Sequence, residues 1–268
     1  MKRILAAAAL LAALLSSCNN APKGDPEHKI AITAHRGYWL SGEANGAQNS
    51  IESLKAAQAI DVWGSEFDVQ LTADDVMMVN HDETREGLLI WDNPWSEFEK
   101  MKLSDGERPS TLDEYLSQGE KDKCVLVCEL KYQKTTERGN LLADLAVDAL
   151  KRHNLFDPSR VIFISFSYEI CKHLAGLAPG FTIQYLSGDK DPDTLIADGI
   201  NGMDYYFSVF TEHPEWVARA HELGMSVNAW TVDRAEDIQS MIDVGVDCIT
   251  TNYPLRTREL LGAKELRK

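Results

Sequence analysis

The sequence predicts an α/β chain folded as a TIM (β/α)8 barrel, with an antiparallel hairpin after the second strand and a short insertion at the C-terminal face. Three observations predict it. Short β-branched or aromatic runs alternate with helical patterns along the chain, the mark of parallel strands joined by crossover helices. The runs number nine strands to eight helices, but only seven residues (QLTADDV) separate Val69 from Met77. A parallel crossover needs about a dozen or more, so the third run must fold back as a hairpin and leaves eight staves. Finally, 251 of the 268 residues follow a leader of 17, close to the roughly 250 of one such barrel.

In chain order the strands are expected at 30–35, 63–69, 77–81, 124–130, 161–166, 181–186, 204–209, 226–231 and 247–251. The helices are expected at 50–60, 111–117, 137–153, 168–177, 193–198, 214–223, 234–244 and 254–261. Ser50 is placed to cap the first helix, and Gly180, Gly199, Gly224 and Gly245 mark helix ends. Residues 93–108 are irregular, with Pro94 starting a short helical turn. Trp91, Trp95 and Phe98 within them suit either a satellite cluster or a substrate clamp. No internal repeat or second domain is evident, so residues 30–268 read as one barrel domain.

The first 17 residues carry Lys2 and Arg3 and then an apolar run of 12, too short for a permanent membrane span. Followed by Leu15-Ser16-Ser17-Cys18, this resembles a bacterial lipoprotein signal, with Cys18 as the lipidated first residue of the mature chain. Residues 18–29 are then a polar tether, and the protein is expected to be exported and membrane-anchored, facing the periplasm or cell exterior. Without the signal, 25 basic face 42 acidic side chains, a formal charge of −17. Such a surface repels phosphate backbones, which argues against nucleic acid as a partner. An anionic substrate would have to meet a locally positive site.

Four cysteines follow Cys18. Cys124 and Cys128, four apart in a strand, lie about 13 Å from each other, too far for a disulfide. All four read as buried apolar residues.

The chemistry gathers at the C-terminal ends of strands. The first ends in His35-Arg36-Gly37; the second carries Glu66 and Asp68, two apart and so on one face. The hairpin brings Asn80-His81-Asp82 back to about the level of Asp68, and the next strand ends in Glu129-Leu130-Lys131. Phe67 and Val69, alternating with the acids, suggest a barrel wall packed on helices. Three convergent carboxylates repel one another, and a hard divalent cation, Mg2+ or Ca2+, is the usual remedy. Glu129 and Lys131 could alternatively neutralise each other, and Trp230 is either core filling or an apolar wall for the substrate.

These elements also resemble a family. AHRG (34–37), QNS (48–50), SEFDVQLTADD (65–75), VNHD (79–82), CELK (128–131), NAWTV (228–232) and GVDCITTNYP (245–254) are similar, in order, to the motifs of the glycerophosphodiester phosphodiesterases. The resemblance implies a phospholipase-C-like phosphodiesterase barrel that hydrolyses glycerophosphodiesters to an alcohol and glycerol 3-phosphate. It implies one divalent cation held by Glu66, Asp68 and Glu129, an acid/base pair of His35 and His81, and phosphate contacts from Arg36 and Lys131. Asn49 is retained as a polar substrate contact. The chain departs from the family in having Gln48 where a Glu is usual and Asn252 where an Asp is common.

On this reading a histidine deprotonates the attacking group, either water directly or, the route favoured here, glycerol's own hydroxyl with a cyclic phosphate to follow, and the other protonates the leaving oxygen. The expected division makes His35 the acid and His81, beside Asp68, the base. Two other functions fit the sequence less well. One is a related phosphodiesterase acting on lysophospholipid or glycerophosphoinositol substrates, and the other is a catalytically silent solute-binding lipoprotein.

Overall fold

The structure, a computed structural model, describes residues 30–265. The signal expected over 1–17, Cys18 and the tether to 29 lie outside the described residues. The strands, in chain order, are β1 Ala31–Ala34, β2 Gly64–Leu71, β3 Met77–Val79, β4 Thr84–Arg85, β5 Leu88–Leu89, β6 Val125–Leu130, β7 Val161–Ser165, β8 Thr182–Tyr185, β9 Gly202–Tyr206, β10 Ser226–Trp230 and β11 Cys248–Thr251. Eight of them form a closed parallel barrel in the order β1, β2, β6, β7, β8, β9, β10, β11. Closure comes from β1, which pairs with β11 through Ile32↔Ile249 and with β2 through Thr33↔Gly64.

β3 folds back antiparallel on β2 in the register Val69↔Val79, Gln70↔Met78 and Leu71↔Met77. The next backbone bond, from Asn80 N–H to the Asp68 carbonyl at 3.0 Å, sets His81 one residue past the level of Asp68. The expected return of His81 to the second stave is therefore found.

Side-chain alternation divides the barrel into two cores. Phe67, Val69, Leu126, Cys128, Leu130 and Phe163 face outward into the main core beneath the helices. Val125, Val127, Ile162, Ile164 and Leu186 fill one half of the interior, against Trp63 and Trp230. The other half holds buried polar groups: Thr33, Gln184, Asp204, Ser226, Asn228 and Thr250. All four cysteines among the described residues are buried and free.

Two elements differ from the sequence expectation. The strand expected over 204–209 ends at Tyr206, and a helix, Phe207–Glu212, follows at once. Its partner β10 ends at Trp230, paired with Tyr206, so no further ladder remains, and Phe210 three residues past Phe207 reaches the core as a helical neighbour. The hairpin of β4 and β5 was not foreseen. Its Glu86-Gly87 tip has positive φ at both residues, 49° and 84°, the twist a two-residue hairpin turn needs, but Glu is an unusual residue there. Met78 of β3 forms a small core with Ile90, Phe98, Trp95 and Met101, so Trp95 and Phe98 take the satellite-cluster reading. Asn45 ties the loop after β1 to this insertion by donating to the Ser104 carbonyl at 2.7 Å.

Candidate active site

Loops and strand ends at the C-terminal face bring together nearly every residue singled out from the sequence. Glu66 and Asp68 rise from β2 on the inner side, and Glu129 lies beside Asp68 in the β2–β6 register. All three are buried, and one carboxylate oxygen from each lies within 4.8 Å of the others. Among the described residues this is the one group of acids, histidines or cysteines able to hold a metal ion.

The surroundings leave that charge incompletely balanced. Lys131 Nζ bridges Glu129 at 2.7 Å and Asp68 at 3.2 Å. Burial would raise the Asp68 carboxyl, but Lys131, His81, a hydrogen bond from Asn49 and Arg36 outweigh it and hold Asp68 below the usual range. Burial, then Asp68, pushes Glu129 up to about 8 despite Lys131. Glu66 is raised well above the carboxylate range by burial, then by Asp68 and Glu129. Three buried carboxylates crowded this closely around one lysine are chemically matched to a hard cation with oxygen ligands.

The β1 loop supplies the cationic flank. Arg36 adopts φ 55°, and its backbone N–H donates to Glu66 Oε2 at 2.7 Å. Its guanidinium donates to Gln48 Oε1 at 2.7 Å, while its Nε lies 3.9 Å from Asp68. Gln48 thus keeps the acceptor a Glu would offer, without the charge. Gly37 follows at φ 75°, where a Cβ would stand 2.3 Å from Ser53 Oγ; only glycine lets the loop lie this close to the capped helix Ile51–Ala59.

Asn49, expected as a polar substrate contact, makes two hydrogen bonds to Asp68. It is buried, its Nδ2 donates to Asp68 Oδ2 at 2.8 Å, and its Oδ1 accepts the Asp68 N–H at 3.0 Å. Its amide therefore fixes a carboxylate of the cluster.

The two histidines sit in different settings. His35 donates from Nδ1 to Asn252 Oδ1 at 2.9 Å. That amide is fixed in orientation, because Trp39 Nε1 donates to the same oxygen at 3.1 Å and Asn252 Nδ2 donates to Asp233 at 2.7 Å. An amide oxygen only accepts, so Nδ1 carries the hydrogen and Nε2 is the basic nitrogen. Burial, then Arg36, lowers His35 to about 4. His81 is half-exposed, with Nδ1 2.7 Å from Asp82 Oδ1. It lies near enough to His35 and Asp68 to act on both electrostatically.

Trp230 forms the opposite wall. Its indole N–H donates to the Asp204 carbonyl at 2.8 Å, and its rings meet Phe166 and Tyr206 edge-on at 5.4 and 5.5 Å. Lys131 Nζ stands 5.8 Å from the Phe166 ring, joining this wall to the carboxylates. Phe166, Tyr206, Trp39, Asp233 and Gln70 were not picked out from sequence. Gln70 had a signal, being on the same side of β2 as Glu66 and Asp68.

The glycerophosphoryl diester phosphodiesterase family matches residues 35–256 of this chain. The chain belongs to that family. A glycerophosphodiester phosphodiesterase from Caldanaerobacter subterraneus is 31% identical over 243 residues, 84% of this chain and 95% of that one. A crystal structure of a glycerophosphodiester phosphodiesterase from Parabacteroides distasonis, 41% identical, superposes with a TM-score of 0.85 over 88% of this chain and 98% of that one. A phosphodiesterase from Oleispira antarctica, solved with the product sn-glycerol-3-phosphate, shares the fold at 22% identity and a TM-score of 0.74, over 87% of this chain and 96% of that one. Membership makes this chain an enzyme of the glycerophosphodiester phosphodiesterase class. The family is dependent on a divalent metal, and Glu66, Asp68 and Glu129 form a cluster that could bind one.

Proposed function

We propose that the protein hydrolyses glycerophosphodiesters to an alcohol and glycerol 3-phosphate, using one divalent cation, Mg2+ or Ca2+, held by Glu66, Asp68 and Glu129. The observation that carries this reading is the convergence of three buried carboxylates that Lys131 and the more distant Arg36 balance incompletely. A cation there would polarise a phosphoryl oxygen and lower the pKa of a nearby hydroxyl.

The residues of the chain account for the rest. Arg36 presents a planar fork and Lys131 a point charge to the phosphate, whose negative charge grows in the transition state. The attacking hydroxyl, in our reading glycerol's own, gives its proton to a histidine as its oxygen bonds to phosphorus. The bond from phosphorus to the alcohol oxygen breaks, and the other histidine protonates that oxygen. Water then opens the cyclic phosphate to glycerol 3-phosphate, the product found in the Oleispira antarctica phosphodiesterase.

Hydrogen bonding favours a division of labour opposite to the one expected from sequence. His35 is neutral with a basic Nε2, which suits it to take the proton. His81 would act as the imidazolium, donating from Nε2 while its Nδ1–H is directed at Asp82 Oδ1. Phe166, Trp230 and Tyr206 offer an apolar wall for the departing alcohol. The half-exposed rings of Phe166 and Tyr206 also favour, as a second reading, lysophospholipid or glycerophosphoinositol substrates. A silent binding role is disfavoured by the presence of all five acid and histidine groups in one site.

The sequence pattern up to Cys18 supports export and a lipid anchor on that residue, which would hold the enzyme at a membrane facing the periplasm or cell exterior. The deciding experiment is release of glycerol 3-phosphate from a panel of glycerophosphodiesters and lysophospholipids, before and after EDTA and with Mg2+ or Ca2+ restored. Activity indifferent to the chelator would refute the metal-dependent reading.

A further inference from the structure

Gln70 is 1% exposed, stands on β2 two residues beyond Asp68, and touches no acid of the cluster within hydrogen-bond reach. Its Nε2 instead donates to the carbonyls of Asn80 at 3.0 Å, His81 at 3.1 Å and Asp82. Three consecutive carbonyls thus converge on one amide nitrogen that has only two hydrogens. They lie just past the end of β3, where no ladder remains to satisfy them and where, unpaired, their aligned dipoles would repel.

A second amide reinforces the turn. Asn80 Nδ2 donates to the Asp82 carbonyl at 2.7 Å, and Asn80 Oδ1 accepts from Arg85 at 2.9 Å. The hairpin itself does not need Gln70. β3 is already held by its three-residue register with β2, by Val79 N–H to Ser110 at 2.9 Å, and by the bridge between Met78 and Thr111. What Gln70 adds begins at Asn80 and is centred on His81.

We infer that Gln70 is a positioning residue for His81, fixing its backbone from the barrel wall so that the imidazole is held at one place beside Asp68. The inference rests on the proposed role of His81 in proton transfer. Gln70→Met keeps the reach of the side chain and removes both donors; Gln70→Lys keeps the reach and supplies three. In the metal-loaded full-length enzyme, Gln70→Met should lower kcat about 10²-fold, the worth of misplacing a reacting group by about 1 Å. KM should change by less than about threefold, since ground-state binding is untouched. Gln70→Lys should restore kcat to within about tenfold of the parent. Added to His81→Ala, Gln70→Met should cost almost nothing more, because two changes acting through one group do not add.

In the metal-free protein, the His81 ring signals in a proton–carbon NMR spectrum should shift and broaden in Gln70→Met and recover in Gln70→Lys. If Gln70→Met does not fold, Gln70→Ser, which admits water to the three carbonyls, is measured in its place. A loss as large in the His81→Ala background as in the parent, or an unchanged kcat, overturns the inference while leaving His81's own role standing if His81→Ala is inactive. His81→Ala as active as the parent overturns both.

Discussion

Asn252 accepts the Nδ1 hydrogen of His35 at 2.9 Å, so a neutral side chain decides which nitrogen of that histidine is basic. Were the partner a carboxylate, it would fix the same tautomer and also favour the imidazolium. Asn252→Asp should therefore raise the His35 pKa from about 4 by one unit or more. His35 acts unprotonated in our reading, so the acid limb of kcat/KM should move to higher pH by the same amount. Asn252→Leu leaves Nδ1 without its acceptor, and kcat should fall about 10²-fold because the ring is no longer oriented. Both are read from pH–rate profiles at saturating metal; an unmoved acid limb in Asn252→Asp would count against His35 as the base.

Metal affinity should depend on Glu129 and on Asn49. Glu129→Gln keeps the shape but removes a charge, and Asn49→Leu takes two hydrogen bonds from Asp68. Each should weaken Mg2+ or Ca2+ binding by about 10- to 100-fold or more, as even changes one step removed from a metal do. Titration calorimetry on the metal-free protein checks this. If Asn49→Leu binds metal normally but raises KM, Asn49 contacts substrate after all.

Lys131 has two possible duties, and one variant separates them. Because its ammonium bridges Asp68 and Glu129 and is only 14% exposed, Lys131→Met should destabilise the metal-free protein by about 3 to 5 kcal/mol. Saturating divalent cation should recover most of the lost Tm, since it supplies the missing positive charge. If kcat stays low in the recovered protein, Lys131 also serves the phosphate. If kcat returns with Tm, its only partners are the two acids.

Asp204 should make stability fall with rising pH. Burial pushes its carboxyl up to about 8, against a weaker opposing hydrogen bond from Asn228. Between the ordinary carboxylate range and pH 8 the folded state holds a proton that the unfolded chain has lost, so folding is disfavoured progressively over that window and by a constant amount above it. Asp204→Asn removes the titration. Relative to the parent, its Tm should rise on going from pH 5 to pH 9, and taking this difference cancels the similar contributions of Glu66 and Glu129. An equal offset at both pH values would mean that Asp204 is already ionised in the folded protein.

Local rules made most of this legible. The seven residues between Val69 and Met77 forced the hairpin, and the two-residue spacing of Glu66 and Asp68 put both acids inside the barrel, as found. What escaped depends on side chains meeting across long sequence separations. Asp233 reaches His35 only through Asn252, and Phe166, just past β7, and Tyr206, at the end of β9, meet Trp230 from far apart in the chain. Asn49's hold on Asp68 escaped for a related reason: a polar residue beside a catalytic loop looks the same in sequence whether its amide only faces the mouth or also clasps a neighbouring carboxylate. The β4–β5 turn escaped because Glu86 adopts a positive φ against its residue type.

The two histidines should prove separable by leaving group. Loss of a general acid hurts most when the departing alkoxide is poor, whereas loss of the base hurts whatever departs. His35→Ala and His81→Ala should each lower kcat by about 10²- to 10⁴-fold on an alkyl glycerophosphodiester. With p-nitrophenol as the leaving group, which needs no proton, His81→Ala should regain much of its rate and His35→Ala should not. This ordering rests on the proposed roles: His35 has its basic nitrogen fixed by Asn252, and His81 would donate from Nε2 as the imidazolium, with Nδ1–H towards Asp82. Rescue of His35→Ala alone would exchange the two roles. Rescue of both, or of neither, would remove the acid/base pair and leave the histidines as phosphate-binding groups beside Arg36 and Lys131.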